Sequence, residues 1–490
     1  MQDKNTQKQA FWFTAINYLG IVIGLVSTVF VYPYDKEFLG IVKYVDAATQ
    51  IMFPIMVFGG AQALIHFHPQ LSEKNQKRLF KYGMVTILAI AMLILIVLIV
   101  GNIFISSERY NYLFFAFPMA IALAFVELFK RQATNLQKLA VPTFFERIIP
   151  KIALPTIFIL LLSGVLGVVS GLIIFVLAYF LLLLLLGFYL FKIYKVDFNL
   201  DFKPLFDSIS KKEYYGYSFF SFIGSLGSFL AFRIDALMIP NFLSFEDNGT
   251  YNIGLNLASA IAVPATGMFA IYAPLISKFI KTDDMQALGK KYIEIATVLL
   301  LIGALFYSSV ILGIDDFFHL MPTYEKLAGS IPVIMILGVN VVINMATGFN
   351  NEIISYSKYF KFNIISVAVL AVLNILLNLY FLINTNLGML GVAYASLIAM
   401  IIFNGFKLIF IYQKFHLVPF DRNYFKLLCI VLLVSFGVYL IPSTSNYLFD
   451  FVIKVGLNIA ISVFLIYKLK LVFMLNYWVN KLLKIKLDKQ

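Results

Sequence analysis

Two full charges stand two residues apart in the apolar stretch FLAFRIDALMIP, where Arg233 and Asp235 interrupt a run that starts near residue 217. An ionised side chain at membrane depth is costly and is a functional group by default. Residues two apart on a helix point to nearly opposite sides, so these two are not expected to pair with each other. Each needs another partner, water or a ligand. Lys43 and Asp46, in LGIVKYVDAATQ, are three apart and share one helical face. Arg233 lies about 24 Å along its run, and Lys43 and Asp46 lie roughly 8 and 12 Å along theirs. If the two runs cross a bilayer in opposite directions, the four charges meet in its outer third. The expected pairs are then Arg233 with Asp46 and Asp235 with Lys43. Two roles fit. Arg233 and Lys43 hold a pyrophosphate, for which arginine offers a bidentate fork, or the pairs only gate. The plainer alternative has Arg233 snorkelling to headgroups and Asp235 at a helix end.

Asn17, Gln50, Asn252 and Asn256 complete the candidate substrate-binding or gating set. Such amides also join membrane helices by hydrogen bonds, as Asn340, Asn344, Asn374 and Asn378 are expected to do. Glu127 beside Lys130 and Arg131 reads as a solvated end pair. His66 and His68 have no acidic or thiol neighbours, so no metal site is expected. No nucleophile–base arrangement, phosphate loop or metal spacing appears, so neither an enzyme nor a cofactor is expected. Coupling to an ion gradient or to the membrane potential would fall to Asp46 and Asp235.

The elements that must position these residues are membrane helices. Of 490 residues 61% are hydrophobic and 13% charged, against about 25% charged in soluble proteins. Cys429 is the single cysteine, so no internal disulfide is needed. A span takes about 20 apolar residues. Fourteen runs qualify: 10–32, 38–66, 81–105, 111–130, 147–164, 168–191, 217–242, 250–277, 292–314, 328–349, 364–383, 388–412, 425–441 and 450–475. The first spans rather than acting as a cleaved signal. With the N-terminus inside, thirty-two of 38 Lys and Arg fall on the cytoplasmic side. Lys36, Arg109, Lys326 and Lys454 fall outside. This places both termini in the cytoplasm. The formal charge of +13 is then a topology device rather than a sign of nucleic acid.

The chain also repeats itself. Gly40 and Gly249 correspond at an offset of 209 residues. NLQK at 135–138 matches SYSK at 355–358, and GVLGVVSG at 164–171 matches TNLGMLGV at 385–392. The pattern predicts an all-α integral membrane protein of about 14 transmembrane helices. Residues 1–195 form a six-helix lobe, 196–216 a cytoplasmic linker, 217–415 a second parallel six-helix lobe, and 416–490 two extra helices with a basic tail. Two parallel lobes put the substrate path between them.

NGTYNIGLNLASAIAVPATGMFAIYAPLISKF after the charged span, LGIVKYVDAATQIMFPIMVFGGAQALIHF in span two, and the NLQK and SYSKYFK loops resemble the polysaccharide flippases. These are the O-antigen and lipid-linked oligosaccharide translocases of the multidrug/oligosaccharidyl-lipid/polysaccharide export superfamily. The resemblance implies two lobes around a central cavity open to one side at a time. It implies transport of an undecaprenyl-pyrophosphate-linked repeat unit from the inner to the outer leaflet of the bacterial cytoplasmic membrane. The product would be O-antigen, capsule, exopolysaccharide or lipopolysaccharide, made with polysaccharide assembly proteins as partners. Two rivals share the superfamily: a drug/cation antiporter, whose embedded acids span one lacks, and a peptidoglycan-precursor flippase, whose cavity is more cationic than the two embedded bases found here. A membrane glycan polymerase is the rival enzyme, and it would need a long external loop that is missing.

Overall fold

The computed structural model describes residues 18–105, 107–196 and 199–482. Asn17, the start of the first run and the basic tail from residue 483 lie outside the described residues. The chain divides into two compact units, Met1–Asn252 and Ile253–Gln490.

Unit 1 begins with α1 (Tyr18–Phe30). It continues through α2 (Lys36–Val57), α3 (Gly60–Phe67), α4 (Glu73–Phe104), α5 (Leu113–Asn135), α6 (Ala140–Leu162), α7 (Val168–Ile193), α8 (Lys211–Arg233) and α9 (Asp235–Phe242). Helix α10 (Phe245–Ala260) carries the chain across the unit boundary. Unit 2 holds α11 (Val263–Lys281), α12 (Met285–His319), α13 (Ile331–Ala346), α14 (Asn350–Tyr356), α15 (Phe360–Asn384), α16 (Met389–Phe415), α17 (Arg422–Tyr439), α18 (Tyr447–Lys468) and α19 (Phe473–Leu482). There is no strand among the described residues.

This is an all-α membrane fold. Among the described residues, ten helices are long and apolar enough to cross a bilayer, and twelve spans result if the bent pairs α8–α9 and α13–α14 each count as one. The two remaining runs of the expected fourteen fall on α1 and α6. Of the first run only residues 18–32 are described, with the helix Tyr18–Phe30, and α6 carries Glu146, Arg147 and Lys151. Burial runs opposite to that of a soluble protein. The strongly apolar α4 and α7 bury only 22% and 28% of their core windows, while the windows of α2 and α12 are each 61% buried. Val97, Ile103, Phe104 and Phe188 stand more than two-thirds exposed, which is stable only against lipid.

In unit 1, α2 is the central element. Asp35 caps its start, accepting from the Phe38 amide at 2.9 Å. It packs on α4, α5, α8 and α9, with α7 behind α5 and α6 beside α7. In unit 2, α12 is central and packs on α13, α17 and α18, while α16 packs on α13 and α15.

Candidate functional site

Arg233 and Asp235 do not share a continuous helix. Arg233 is the last residue of α8 and Asp235 the first of α9, and the two axes differ by 48°. The expected single span 217–242 is therefore a broken one. The break gives a physical account of both charges. A cation is favoured at a helix C-terminus and an anion at a helix N-terminus, and each residue occupies the end that suits its sign.

The two charges have different partners. Arg233 Nη1 lies 3.7 Å from Asp46 Oδ2, with the arginine side chain 47% exposed and the aspartate 17%. Asp235 is buried and accepts a hydrogen bond from Tyr251 at 2.7 Å. Lys43, one turn before Asp46 on α2, interacts electrostatically with Asp46, Arg233 and Lys151. Lys151 in turn feels Arg147 and Arg233. Tyr179 of α7, nearly buried, is within reach of Asp46 and Arg233.

Arg147 and Lys151 were not among the residues expected from sequence. Both stand in the opening turns of the run 147–164, beside Pro150 and Pro155, and count there with the cytoplasmic bases. The helix instead begins at Ala140 and carries both prolines inside it, as membrane helices tolerate. Arg147 and Lys151 thus lie about 10 and 16 Å along α6. Their i, i+4 spacing, which puts them on one face, was the available signal. Helix α1 makes room for them: a methyl group on Gly24 would lie 3.1 Å from Lys151 Nζ, and one on Gly20 3.6 Å from the Arg147 carbonyl.

The acids nearby are already engaged. Glu146 accepts from Lys130 at 2.9 and 3.2 Å. Glu127 pairs with Lys130 at 2.8 Å and with Arg131 at 2.7 Å. Far from a solvated end pair, Glu127 is only 16% exposed and belongs to a closed four-residue network. This leaves Lys43, Lys151 and Arg233 acting on one another, with Arg147 acting on Lys151, while Asp46 acts on Lys43 and pairs with Arg233. Such an excess of cations at membrane depth is stabilised by an anion, and guanidinium and ammonium groups together suit phosphate oxygens.

One end of unit 1 is tightly held. A methyl group on Gly40 would lie 1.8 Å from the Phe245 carbonyl oxygen, and one on Gly249 1.9 Å from that of Lys36. Helices α2 and α10 therefore touch backbone to backbone, as only glycine permits. Asn248 Nδ2 donates to the Gly40 carbonyl at 2.8 Å, and Lys36 pairs with Glu246 at 2.8 Å. Arg109 donates to the Asn241 and Leu243 carbonyls, both at 3.1 Å, closing the C-terminal end of α9.

The remaining candidates divide. Asn252 is buried and donates to the backbone and side chain of Asn248 at 2.8 and 3.0 Å. Gln50 is half-buried on α2, and Asn256 is half-buried beyond the unit boundary. Asn374 and Asn378 are buried, and Ser396 donates to Asn374 Oδ1 at 3.4 Å across helices. His66 stacks on Tyr217 with centroids 4.2 Å apart. No cluster of three or more His, Cys, Asp or Glu occurs among the described residues.

No protein-family profile matches the chain, and no curated protein matches it. Solved structures do. One is the "Lipid II flippase MurJ, inward closed conformation", with a TM-score of 0.71 at 16% identity over 93% of this chain and 99% of that one. Another is the inward-facing conformation of a multidrug resistance MATE family transporter of the MOP superfamily, with a TM-score of 0.64 at 13% identity over 83% and 98% of the two chains. An outward-facing conformation under the same description gives 0.52 at 13% identity over 82% and 96%. These neighbours are named as transporters and a flippase. At such identities the likeness establishes the fold alone: this is a multi-pass membrane protein with the helical architecture of those two structures.

Proposed function

We propose that this chain is a flippase that moves an undecaprenyl-pyrophosphate-linked oligosaccharide from the inner to the outer leaflet of the bacterial cytoplasmic membrane by alternating access, with both termini cytoplasmic. The product would serve O-antigen, capsule or exopolysaccharide synthesis. The observation that carries the reading is the chain of cations Lys43, Arg233, Lys151 and Arg147, each within electrostatic range of the next, with Asp46 as the carboxylate that acts on Lys43 and pairs with Arg233. A pyrophosphate diester is the anionic part of such a lipid, and four cations can surround it. The same cluster argues against a drug/cation antiporter, because it repels the cationic substrates such a protein carries.

A peptidoglycan-precursor flippase is the second reading. The reason given against it, a cavity with only two embedded bases, weakens once Arg147 and Lys151 join the cluster. Both readings share the pyrophosphate and differ in the sugar. We further propose that the chain arose by duplication, with copies at 1–195 and 217–415, a linker at 196–216 and two added helices in 416–490. Coupling to an ion gradient, with Asp46 and Asp235 as its acids, belongs to the same proposal.

Proteoliposomes test the function. The purified protein should move a fluorescent undecaprenyl-pyrophosphate oligosaccharide to the leaflet where a membrane-impermeant quencher meets it. Arg233→Ala should stop this while the protein still inserts and runs as a single species on gel filtration. Transport by the variant at the wild-type rate would remove the cluster from the mechanism. Transport of a lipid-linked peptidoglycan precursor in preference to oligosaccharide would select the second reading.

A further inference from the structure

A second polar centre lies in unit 2. Helix α13 stops at Ala346 and the chain resumes as α14 at Asn350, bent by 49°, with Gly348 at φ +67°. Breaks of this kind in membrane helices free backbone carbonyls and helix ends, and such places hold small cations in transport proteins. Here Asn404 Oδ1 of α16 accepts from Thr347 at 3.2 Å and from Asn350 at 3.0 Å. One turn further along α16, the Lys407 ammonium donates to Asn351 Oδ1 at 3.0 Å and lies 4.0 Å from the centre of the Phe403 ring. Lys407 is only 1% exposed.

This lysine is not an ordinary inner-end base. An ammonium has three protons to donate. One goes to an amide oxygen, and an aromatic face supplies a cation–π contact. Lys407 forms no ion pair among the described residues. The acid that acts on it electrostatically is Glu352 of α14.

We propose that the α13–α14 break is a monovalent-cation site whose occupant is the chain's own Lys407 ammonium, tethered there in place of an ion from solution. The charge balance supports this. Lys407 and Glu352 together are neutral, so a sodium or potassium ion would add an uncompensated charge. Without the amine, the Asn351 amide oxygen loses its donor and the charge of Glu352, which acts on this position electrostatically, is left uncompensated. Hard oxygen ligands with one net negative charge suit a small cation.

Thermal unfolding in detergent tests the proposal without any lipid substrate, so its failure and that of the flippase reading are separable. The midpoint is measured in choline, sodium, potassium and methylammonium chloride at one ionic strength. Wild type should unfold at the same temperature in all four. Lys407→Ala should unfold earlier in choline and recover, in a saturable way, as methylammonium or sodium is added. An alanine variant indifferent to the salt would overturn the proposal, as would a wild type stabilised specifically by sodium or potassium. If Lys407→Ala does not fold, the neutral pair Lys407→Met with Glu352→Gln decides. It should regain most of the midpoint lost in Lys407→Met alone, because the uncompensated, half-buried carboxylate is gone. Losses that simply add would refute the site.

Discussion

Alanine at Gly40 or at Gly249 should perturb the α2–α10 crossing in the same way, although the two residues are far apart in sequence. The added methyl group would sit 1.8 Å from one carbonyl oxygen or 1.9 Å from the other. Unstrained carbon–oxygen contacts begin near about 3.3 Å, so either alanine must part the helices by about 1.5 Å. A gap of about 0.5–1 Å already forfeits a quarter to a half of the dispersion attraction between facing atoms. The same movement stretches the Asn248–Gly40 hydrogen bond, worth about 0.6 kcal/mol in a membrane protein. With an overpacking cost of about 1–3 kcal/mol, each substitution should destabilise by about 2–4 kcal/mol. One displacement relieves both clashes. The double variant should therefore cost little more than either single one, a coupling energy of about −2 to −4 kcal/mol. Unfolding by SDS titration in mixed micelles measures all three. Additive costs, or a Gly40→Ala variant as stable as wild type, would refute the contact.

Three further outcomes are expected. Asp46→Asn removes the carboxylate that pairs with Arg233 and acts on Lys43, so inorganic pyrophosphate should bind the purified protein about tenfold more tightly by calorimetry, equivalent to about 1.4 kcal/mol; weaker binding would mean Asp46 is not the competing anion. Arg109→Ala leaves the Asn241 and Leu243 carbonyls without their donor and should cost about 1 kcal/mol in the SDS titration, with partial recovery in Arg109→Lys. Burial holds the His68 imidazole below its ordinary range, and Nε2 is buried without a partner. Its unfolded form takes up the proton first, so the stability linked to it is complete above about pH 6.5 and is lost as pH falls through the lower folded value. His68→Gln should flatten the acid side of the midpoint–pH curve, and an unchanged slope would clear His68 of that role.

Much of the site was legible because depth along a helix follows from residue count alone. Counting rise from opposite ends of two runs put Arg233 beside Asp46, and they are 3.7 Å apart. Counting could not find the break at Ile234, since nothing in FRID is a helix breaker; the bend became visible only in the fold. It turned two charges read as opposite faces of one helix into the ends of two. Arg147 and Lys151 were hidden because the run 147–164 makes them its cytoplasmic end, whereas the helix begins a full two turns earlier, at Ala140. Lys407 was hidden by an expectation that is usually sound. Basic residues near the inner end of a long span normally snorkel, and whether one turns inward depends on the rotation of α16 about its axis. Only its packing against α13 and α15 fixes that rotation.

The crossing of α2 and α10 has a reciprocity worth following. Lys36 touches Gly249 and Gly40 touches Phe245, and both 36 to 245 and 40 to 249 are steps of 209 residues. On the duplication proposed above, each contact is therefore the image of the other, as in a two-fold homodimer where the same patch meets itself. On that proposal the crossing would correspond to a subunit interface in a half-length ancestor that paired with its own copy. Fusion into one chain would free the two sides to diverge. Glu37 and Glu246 are still equivalent glutamates, but only Lys36 keeps a lysine to face one, at 2.8 Å. Its counterpart is Phe245, which packs instead between the rings of Tyr44 and Tyr112, at 5.7 and 5.4 Å. A symmetric dimer could not have kept an ion pair on one side and an aromatic cluster on the other; a single chain can.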